Sequence, residues 1–570
     1  MSVVTQSLGV PQDLRESAKR LRRLKGRQPS PAALARVSQL MGPGPWARDR
    51  LIEYLHALQD AERGLREDHL LALAQHLQLA PVEVFEVATF YHHFDLLQDD
   101  APTPSLTVRV CDGLSCEMAG AKALLEGLRE RLGSSVRVIS APCVGRCEQA
   151  PAAVVHQHAI AQASVERVQA AVEAGHHAPE VPQGIGFAAY RANGGYAWPE
   201  RLAQAAPSAR EALCEEVLQT LDQAGLRGLG GAGFPSARKW RIVRQQAAPR
   251  LLAINIDEGE PGTFKDRTYL EQDPHRFLDG MLVAAQVVGI EAVYIYLRDE
   301  YHGLRPVLQQ ALADLQANPP CPLPRLELRR GAGAYICGEE SAMIESIEGK
   351  RGEPRLRPPY IAEVGLFGRP TLAHNFETLH WVRDLLDHGP EHFTRHGRQG
   401  RKGLRSFSVS GRVREPGVKL APAGISVREL IDEYCGGMLP GHTLYGYLPG
   451  GASGGILPAS LADVPLDFDT LQPHGCFIGS AAVVVLSQHD RARDAALNAM
   501  RFFAHESCGQ CTPCRVGTEK ATQLMQAAHW DTATLEDLCQ VMADASICGL
   551  GQAAPNPLRS VLRYFPQELS

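Results

Sequence analysis

Eight of the fourteen cysteines in this 570-residue chain fall into two groups of four, and no packing requirement explains either group. The C-terminal quartet lies in ESCGQCTPCR and SICGLG and consists of Cys508, Cys511, Cys514 and Cys548. The N-terminal quartet lies in VCDGLSCEM and APCVGRCEQAP and consists of Cys111, Cys116, Cys143 and Cys147. Four thiolates can close a tetrahedral metal site or hold an iron–sulfur cluster. Two clusters in one chain would indicate that electrons move between sites.

The composition limits the class of protein. A hydrophobic content of 44% with 21% charged residues is typical of globular domains, and the length predicts about three to five of them. The net charge of −6 provides no general attraction to nucleic acid or to anionic membranes. No aliphatic run is long enough to span a bilayer, and the N-terminus lacks the apolar segment of a secretory signal. We therefore expect a cytoplasmic protein whose clustered cysteines bind metal rather than form disulfides.

The first hundred residues and the segment after them follow different patterns. Residues 30–95 show helical spacing of apolar side chains, and Pro81 opens a last helix that His92 and His93 end. A metal role for these two histidines is the less favoured alternative. From Leu106 the pattern becomes strand, loop and helix, and each cysteine pair of the N-terminal quartet follows a β-branched strand. Both pairs are therefore predicted to meet at one end of a small sheet.

A glycine-rich segment, GLRGLGGAGFPSARKW, spans Gly225–Trp240, and its Gly228, Gly230 and Gly233 satisfy GxGxxG. The dinucleotide version of this motif requires a preceding strand, whereas VLQTLDQAGL has the pattern of a helix. We therefore do not expect a conventional βαβ turn here. The loop and the following Lys239 still suit a phosphate, because exposed backbone N–H groups bind anions. A flexible turn between domains is the alternative.

Two further segments have features of a ligand site. The loop NIDEGEPGTFKDR, residues 255–267, follows the apolar strand LLAINID, and ligand sites of α/β sheets lie at such strand ends. Its carboxylates can accept hydrogen bonds from the hydroxyls of a ribose or polyol. The alternative is a solvent-exposed loop, which is what most runs of charged residues form. In RRGAGAYICGEES, small residues surround Tyr335 and precede Glu339 and Glu340, so a flat ligand could approach the backbone and stack on the ring.

Together the three segments resemble the flavin- and NADH-binding subunit of respiratory complex I and its relatives in soluble hydrogenases and formate dehydrogenases. The resemblance implies FMN contacts by Gly228, Gly230, Lys239, Asn255, Asp257, Gly338, Glu339 and Asn375. It implies NADH contacts by Phe234, Lys239, Glu260, Tyr335, Glu340 and Tyr360, and we also place Glu258 at the cofactor site. Hydride transfer belongs to FMN in this family, so no side chain is predicted to be catalytic. Leu229, Tyr360 and His374 depart from the usual Arg, Phe and Asn of the family motifs.

The two quartets resemble cluster sites of the same complex. The C-terminal quartet matches the family's [4Fe–4S] site, with structural zinc as the alternative. The N-terminal quartet and the helices before it resemble the complex I subunit that carries a [2Fe–2S] cluster on a thioredoxin-like fold. The six remaining cysteines are expected to be buried small residues rather than ligands, and they are Cys214, Cys321, Cys337, Cys435, Cys476 and Cys539.

The expected fold is therefore multidomain α/β with six segments. An N-terminal helical bundle covers 1–100, a thioredoxin-like [2Fe–2S] domain 101–176 and a linker 177–204. A Rossmann-like FMN- and NADH-binding domain covers 205–405, a β-grasp-like domain 406–490 and a helical [4Fe–4S] domain 491–570.

The order of these segments most resembles the β subunit of soluble NAD-dependent formate dehydrogenase. The resemblance implies an oxidoreductase (diaphorase) subunit with FMN, NAD, [4Fe–4S] and [2Fe–2S], working with an α subunit that carries a molybdenum or tungsten pterin and further clusters. A nucleic acid or membrane partner is not expected. The alternatives are the diaphorase of an NAD-reducing hydrogenase, a complex I fusion, and, from another class, a zinc-stapled scaffold without turnover.

Overall fold

The computed structural model describes residues 26–569, which divide into two compact units. One unit holds the described residues up to Thr103 together with Glu348–Arg351, and the other holds Pro104–Ile347 and the chain from Gly352 onward. Within the described ranges no helix combines the length and the apolarity that a membrane span requires.

The first unit is a small helical bundle. Its helices are Pro31–Met41, Leu51–Glu62, Glu67–Leu77 and Pro81–Phe90, with a short parallel pairing of Leu65–Arg66 and Leu96–Leu97. The apolar faces predicted from the sequence are buried, as at Leu51, Leu55 and Leu70. The last helix ends at Phe90, because Tyr91 has an extended backbone, so the prediction that His92 and His93 end it is wrong.

The second unit begins with a four-stranded sheet that presents the N-terminal quartet. Its strand order is Val136–Ala141, Leu106–Cys111, Ala153–Val155 and His158–Ile160, and only the first pair is parallel. The helices around it are Leu114–Met118, Ala121–Leu132 and Val165–Glu173. Because parallel strands end at the same edge, Cys111 and Cys143 come together there, as predicted.

The stretch 177–204, expected to be a linker, is ordered and packed in its second half. It forms the helices Phe187–Ala192 and Ala197–Gln204. The buried Tyr190 hydroxyl and the Tyr196 N–H donate to the Asp279 carboxylate at 2.9 and 2.7 Å. These contacts attach the segment to the following domain. Its second half is therefore part of that domain and not a free linker.

The following α/β domain contains a four-stranded, fully parallel sheet. The strand order is Thr371–Asn375, Arg250–Ile256, Ile290–Leu297 and Arg325–Arg330. The central strands are almost entirely apolar because both faces are covered. The helices are Pro207–Gln223, Ser236–Arg244, Lys265–Gln272, Pro274–Val288, Leu304–Ala317, Glu340–Ile347, Phe376–His380, Val382–His388 and Pro390–Thr394.

Two further parts complete the second unit. A mixed five-stranded sheet has the order Gly417–Pro422, Leu404–Gly411, Ala482–Ser487, Leu444–Leu448 and Leu457–Pro458, with the short helix Val427–Glu429 beside it. The C-terminal helices are Ala492–Glu506, Thr512–Met525, Thr532–Ala545, Gly549–Ala553 and Pro555–Tyr564. The cysteines of the C-terminal quartet lie at turns between these helices or in the first turn of the second one.

Candidate functional site

A cavity of about 940 Å³ lies at the carboxyl end of the parallel sheet. Asn255 and Asn375 mark the place, because they are register partners at the ends of neighbouring parallel strands. Pockets of this size hold a ligand as large as a nucleotide. Ten of the fourteen predicted cofactor residues line it, namely Gly228, Gly230, Phe234, Lys239, Asn255, Gly338, Glu339, Glu340, Tyr360 and Asn375.

The glycine loop forms one wall of the cavity. The helix Pro207–Gln223 precedes it, which confirms that the motif is not a βαβ turn. A Cβ atom on Gly230 would lie 2.9 Å from Cβ of Asn375, so only glycine allows this approach. The next helix begins at Ser236 and places Lys239 in the wall.

Charged groups of both signs line the wall. The Lys239 ammonium lies 3.3 Å from the Glu340 carboxylate, and the Arg357 guanidinium also lies 3.3 Å from it. Glu339 accepts hydrogen bonds from the N–H groups of Ser341 and Ala342 and from Arg357. The sequence did not single out Arg357, and the arginine-rich GKRGEPRLRPP around it was the available signal.

Exposed rings lie at the same cavity. Phe234 is 40% exposed and Tyr360 is 56% exposed, although both are large apolar side chains. The Arg238 guanidinium lies 5.6 Å from the centroid of the Phe234 ring. Exposed aromatic faces on a cavity wall are surfaces on which a planar ligand can stack.

Asp257 provides an unpaired acceptor beside the cavity. Its Oδ2 is buried and has no hydrogen-bond partner among the described residues, and burial raises the pKa of this carboxyl well above its usual range. Gly338 lies against it, since a Cβ there would meet the Asp257 carbonyl at 3.3 Å. The Asn255 side-chain amide donates to the Gly338 carbonyl at 2.8 Å and fixes this arrangement. A buried acceptor without a partner fits a ligand hydroxyl or N–H group.

The other predicted acidic residues have protein partners. The Glu258 carboxylate accepts from the N–H groups of Asp266 and Arg267 and from the Tyr301 hydroxyl at 2.7 Å, and it does not line the cavity, so a cofactor contact from Glu258 stays a prediction. Glu260 accepts from Ser453 and from the Tyr335 hydroxyl.

The Tyr335 ring packs edge-on against the ring of Phe502, with 5.0 Å between centroids. Neither Glu260 nor Tyr335 lines the cavity wall. Contacts from these two residues to NADH therefore stay a prediction.

A buried ionic cluster supports the cavity from behind. The Asn375 amide donates to Asp266 at 2.7 Å, and Lys265 pairs with Asp266 at 2.6 Å and with Glu377 at 3.1 Å. Burial raises the pKa of Asp266 to about 7, against the lowering effect of Lys265. This cluster fixes the orientation of Asn375, which lines the cavity.

His374 has a fixed hydrogen-bonding role in the same wall. The Trp240 indole N–H donates to Nε2 of His374 at 2.6 Å. An indole nitrogen can only donate, so Nε2 must be the acceptor and Nδ1 must carry the proton. Burial lowers the pKa of His374 well below its usual range, so the ring is neutral.

The C-terminal quartet surrounds a small cavity of its own. All four of its cysteines line that cavity, and the Ser507 hydroxyl lies 3.2 Å from the Cys514 sulfur. Cys548 also lines the large cavity, as do Ile547 and Pro354. The two sites therefore share a wall.

The N-terminal quartet also converges. The sulfurs of Cys143 and Cys147 are 3.3 Å apart, and the Cys111 thiol contacts those of Cys116 and Cys143. All four cysteines are buried, and the Phe264 ring packs against Cys143 and Cys147. The six other cysteines are buried as well, as predicted, while their expected lack of a ligand role stays a prediction.

Three family models match the chain. They are the Nuo51 FMN-binding domain over residues 221–384, the NADH-ubiquinone oxidoreductase-F iron-sulfur binding region over 494–570, and the thioredoxin-like [2Fe-2S] ferredoxin over 38–176. The last match confirms the predicted thioredoxin-like domain. The second favours a [4Fe–4S] cluster over zinc at the C-terminal quartet.

Curated relatives and solved structures agree with these matches. The chain is 40% identical to a subunit of the NADH-quinone oxidoreductase of Rhizobium meliloti (strain 1021) over 405 residues, 68% of this chain and 94% of the relative. It is 40% identical to mitochondrial NADH dehydrogenase [ubiquinone] flavoprotein 1 of Dictyostelium discoideum over 372 residues, 62% of this chain and 78% of the relative. A chain of the NAD⁺-reducing [NiFe]-hydrogenase in the H₂-reduced state has a TM-score of 0.80 at 32% identity, covering 92% of this chain and 93% of that one.

The site fits the cofactors that these families carry. A nucleotide-sized cavity with an unpaired carboxyl group beside it fits FMN and NAD, and two convergent thiol quartets fit a [4Fe–4S] and a [2Fe–2S] cluster. The cofactors are therefore FMN, NAD and these two clusters. The chain belongs to the family of the mitochondrial NADH-ubiquinone oxidoreductase 51 kDa flavoproteins and their bacterial counterparts, here joined to a thioredoxin-like [2Fe–2S] ferredoxin.

Proposed function

We propose that this chain is the diaphorase subunit of a formate dehydrogenase, in which electrons taken from formate by a partner protein reduce NAD⁺. The observation that carries the diaphorase role is the wall shared by the nucleotide-sized cavity and the C-terminal quartet, with Cys548 in both. FMN, when bound, exchanges a hydride with NAD and single electrons with iron–sulfur clusters.

The chain's own residues bind and orient the cofactors. Gly228 and Gly230 admit FMN to the backbone, and Lys239 supplies a cation for phosphate. Asn255, Asp257, Gly338, Glu339 and Asn375 complete the proposed flavin site. Phe234, Glu340 and Tyr360 are proposed to hold NADH, because two exposed rings and a carboxylate suit its planar and ribose groups.

Formate as the electron source is supported by the order of segments, including SVSGRVREPGVKLAPAG, LPGGASGGILPAS and ESCGQCTPCR. The proposed partner is an α subunit with a molybdenum or tungsten pterin and further clusters. The diaphorase subunit of an NAD-reducing hydrogenase is a second candidate, because a chain of such an enzyme matches 92% of this one.

Purification of the native complex separates the two candidates. A formate dehydrogenase would contain molybdenum or tungsten and reduce NAD⁺ with formate, whereas a hydrogenase would contain nickel and reduce NAD⁺ with H₂. We expect the first result. A nickel-containing complex that does not reduce NAD⁺ with formate would contradict the choice of partner and leave the diaphorase role intact.

A further inference from the structure

Arg298 joins the α/β domain to the N-terminal quartet. It directly follows the strand Ile290–Leu297, and it is 4% exposed. Its Nη2 donates to the carbonyl oxygen of Cys143 at 2.8 Å, and its Nη1 donates to the carbonyl oxygen of Glu258 at 2.5 Å. One guanidinium therefore connects a cysteine of the quartet to the loop that carries Asp257.

The surrounding contacts hold the cysteine loop in place around this arginine. The Arg267 Nε donates to the Gly145 carbonyl at 3.0 Å, and Phe264 packs against Cys143 and Cys147. Gly145 lies so close to Tyr301 that an added Cβ would be 2.5 Å from the hydroxyl oxygen. These contacts restrict the movement of the loop that Arg298 contacts at Cys143.

The carboxyl groups of Glu300 and Asp257 are the acidic groups that act on the charge of Arg298. A guanidinium stays protonated in proteins, and its Nε pairs with Glu300 at 3.1 Å. Arg267, in contrast, pairs with two carboxylates, those of Glu148 and Glu271. Other charged groups near the cysteine loop are Asp112, Arg146, Asp257 and Glu258.

A buried positive charge at a ligand residue affects the two redox states of a cluster differently. Hydrogen bonds and charges around the cysteine ligands are established determinants of cluster potential. Reduction adds a negative charge to a cluster that already has four thiolate ligands, and a nearby cation stabilises that added charge. The guanidinium and the quartet are both buried, so water and salt screen this interaction less than they would at the surface.

We propose that Arg298 is a positioning residue that raises the reduction potential of the [2Fe–2S] cluster and thereby determines how far electrons accumulate on it. This role goes beyond the proposed function, because it requires only the cluster and not formate or a particular partner.

The test is a redox titration of the full chain, monitored by EPR, in Arg298→Gln and Arg298→Lys. We expect Arg298→Gln to lower the midpoint potential of the [2Fe–2S] cluster by at least about 59 mV, which is a tenfold change in the one-electron equilibrium constant. Arg298→Lys should keep the midpoint potential close to the wild-type value, because lysine retains the positive charge. The [4Fe–4S] midpoint should stay unchanged in both variants.

Two further variants keep the test decisive. Glu300→Gln leaves Arg298 in place but removes its counter-charge, so the [2Fe–2S] midpoint should rise, even if Arg298→Gln fails to assemble a cluster. Arg493→Gln is the matched control, since Arg493 is also buried and donates to backbone carbonyls, those of Ala528 and Glu568. An unchanged midpoint in Arg298→Gln, an equal fall in Arg298→Lys, or no rise in Glu300→Gln would overturn the proposal.

Discussion

At the residue scale, His374 shows how one substitution within a family motif is compensated by a neighbour. Donation from Trp240 to Nε2 leaves the proton on Nδ1. The ring therefore presents a neutral N–H donor where the family motif has the amide of an asparagine. His374 lines the large cavity, so we expect a bound ligand to accept from this N–H group.

Replacing His374 tests this role. His374→Asn should keep FMN binding near the wild-type value, because an amide also donates. His374→Leu should weaken it about three- to tenfold, the effect of one lost hydrogen bond of ~0.7–1.4 kcal/mol. FMN dissociation constants from flavin fluorescence measure both, with the exposed His392→Leu as the control. Equal affinity for the leucine variant and the wild type would contradict a donor role.

Glu340 is expected to influence the choice between NADH and NADPH. A carboxylate in the cavity wall repels the extra phosphate of NADPH, although Lys239 and Arg357 partly neutralise it. We expect kcat/KM to favour NADH by at least about tenfold, or ~1.4 kcal/mol. Glu340→Gln should reduce this ratio, while Glu363→Gln, another cavity residue, should not. If the ratio stays the same in Glu340→Gln, this carboxylate does not face the nucleotide phosphate.

The sequence predicted the backbone of the site better than its charges. Gly230 and Gly338 were predictable because close approach requires glycine, and the structure places both in the wall. The different surroundings of Glu258 and Asp257 were not predictable, because one acidic run contains both a helix-capping carboxylate and an unpaired one. Arg357 was missed because its partner Glu339 is 18 residues away in the chain, and only the fold brings them together.

At the element scale, the glycine loop works because the helix that follows it starts at the cavity. The loop passes Asn375 so closely that a methyl group on Gly230 would meet its Cβ at 2.9 Å. That contact is tighter than folded cores accept without a backbone shift.

Gly230→Ala should therefore displace either the loop or Asn375 and weaken FMN binding at least about tenfold, or ~1.4 kcal/mol. Gly186→Ala is the matched control, because its φ is −81° and an added Cβ would meet nothing within 4 Å. Flavin content after purification and the FMN dissociation constant are the measurements. Full flavin occupancy with unchanged affinity in Gly230→Ala would show that the loop does not contact the flavin.

Elements with strong periodicity were predicted and short ones were not. The strand Arg250–Ile256 was evident from its continuous apolar run. The helix Phe187–Ala192 has only six residues, too few for a helical period to be visible, and prolines and glycines around it indicate a linker. Its burial depends on Asp279, which is distant in the sequence.

At the scale of the whole molecule, the two quartets differ in access. All four cysteines of the N-terminal quartet are buried, whereas Cys508, Cys511 and Cys548 of the C-terminal quartet are partly exposed. A partner protein can therefore approach the C-terminal quartet, which shares a wall with the large cavity. The sequence identified both quartets but not this difference, because access depends on how the domains of the second unit pack.

This asymmetry predicts how the reaction divides between subunits. The isolated chain should reduce an artificial one-electron acceptor with NADH, because the nucleotide cavity and the partly exposed C-terminal quartet belong to it. It should form no NADH from formate and NAD⁺ until the α subunit is added, since the proposed pterin that activates formate belongs to that partner. Formate oxidation by the lone chain would contradict this division.

Removing one cysteine of the C-terminal quartet tests the proposed path of electrons through the complex. Cys514→Ala should abolish formate-driven NAD⁺ reduction, because the cluster is proposed to lie between the partner and the flavin cavity. It should leave NADH oxidation at the flavin largely intact, since Cys514 does not line that cavity. Cys539→Ala is the matched control, because Cys539 is a buried cysteine of the same helical domain outside the quartet. Formate-driven turnover that survives in Cys514→Ala at the rate of this control would require an electron path that avoids the C-terminal cluster, and the buried N-terminal quartet offers a partner no direct access to such a path.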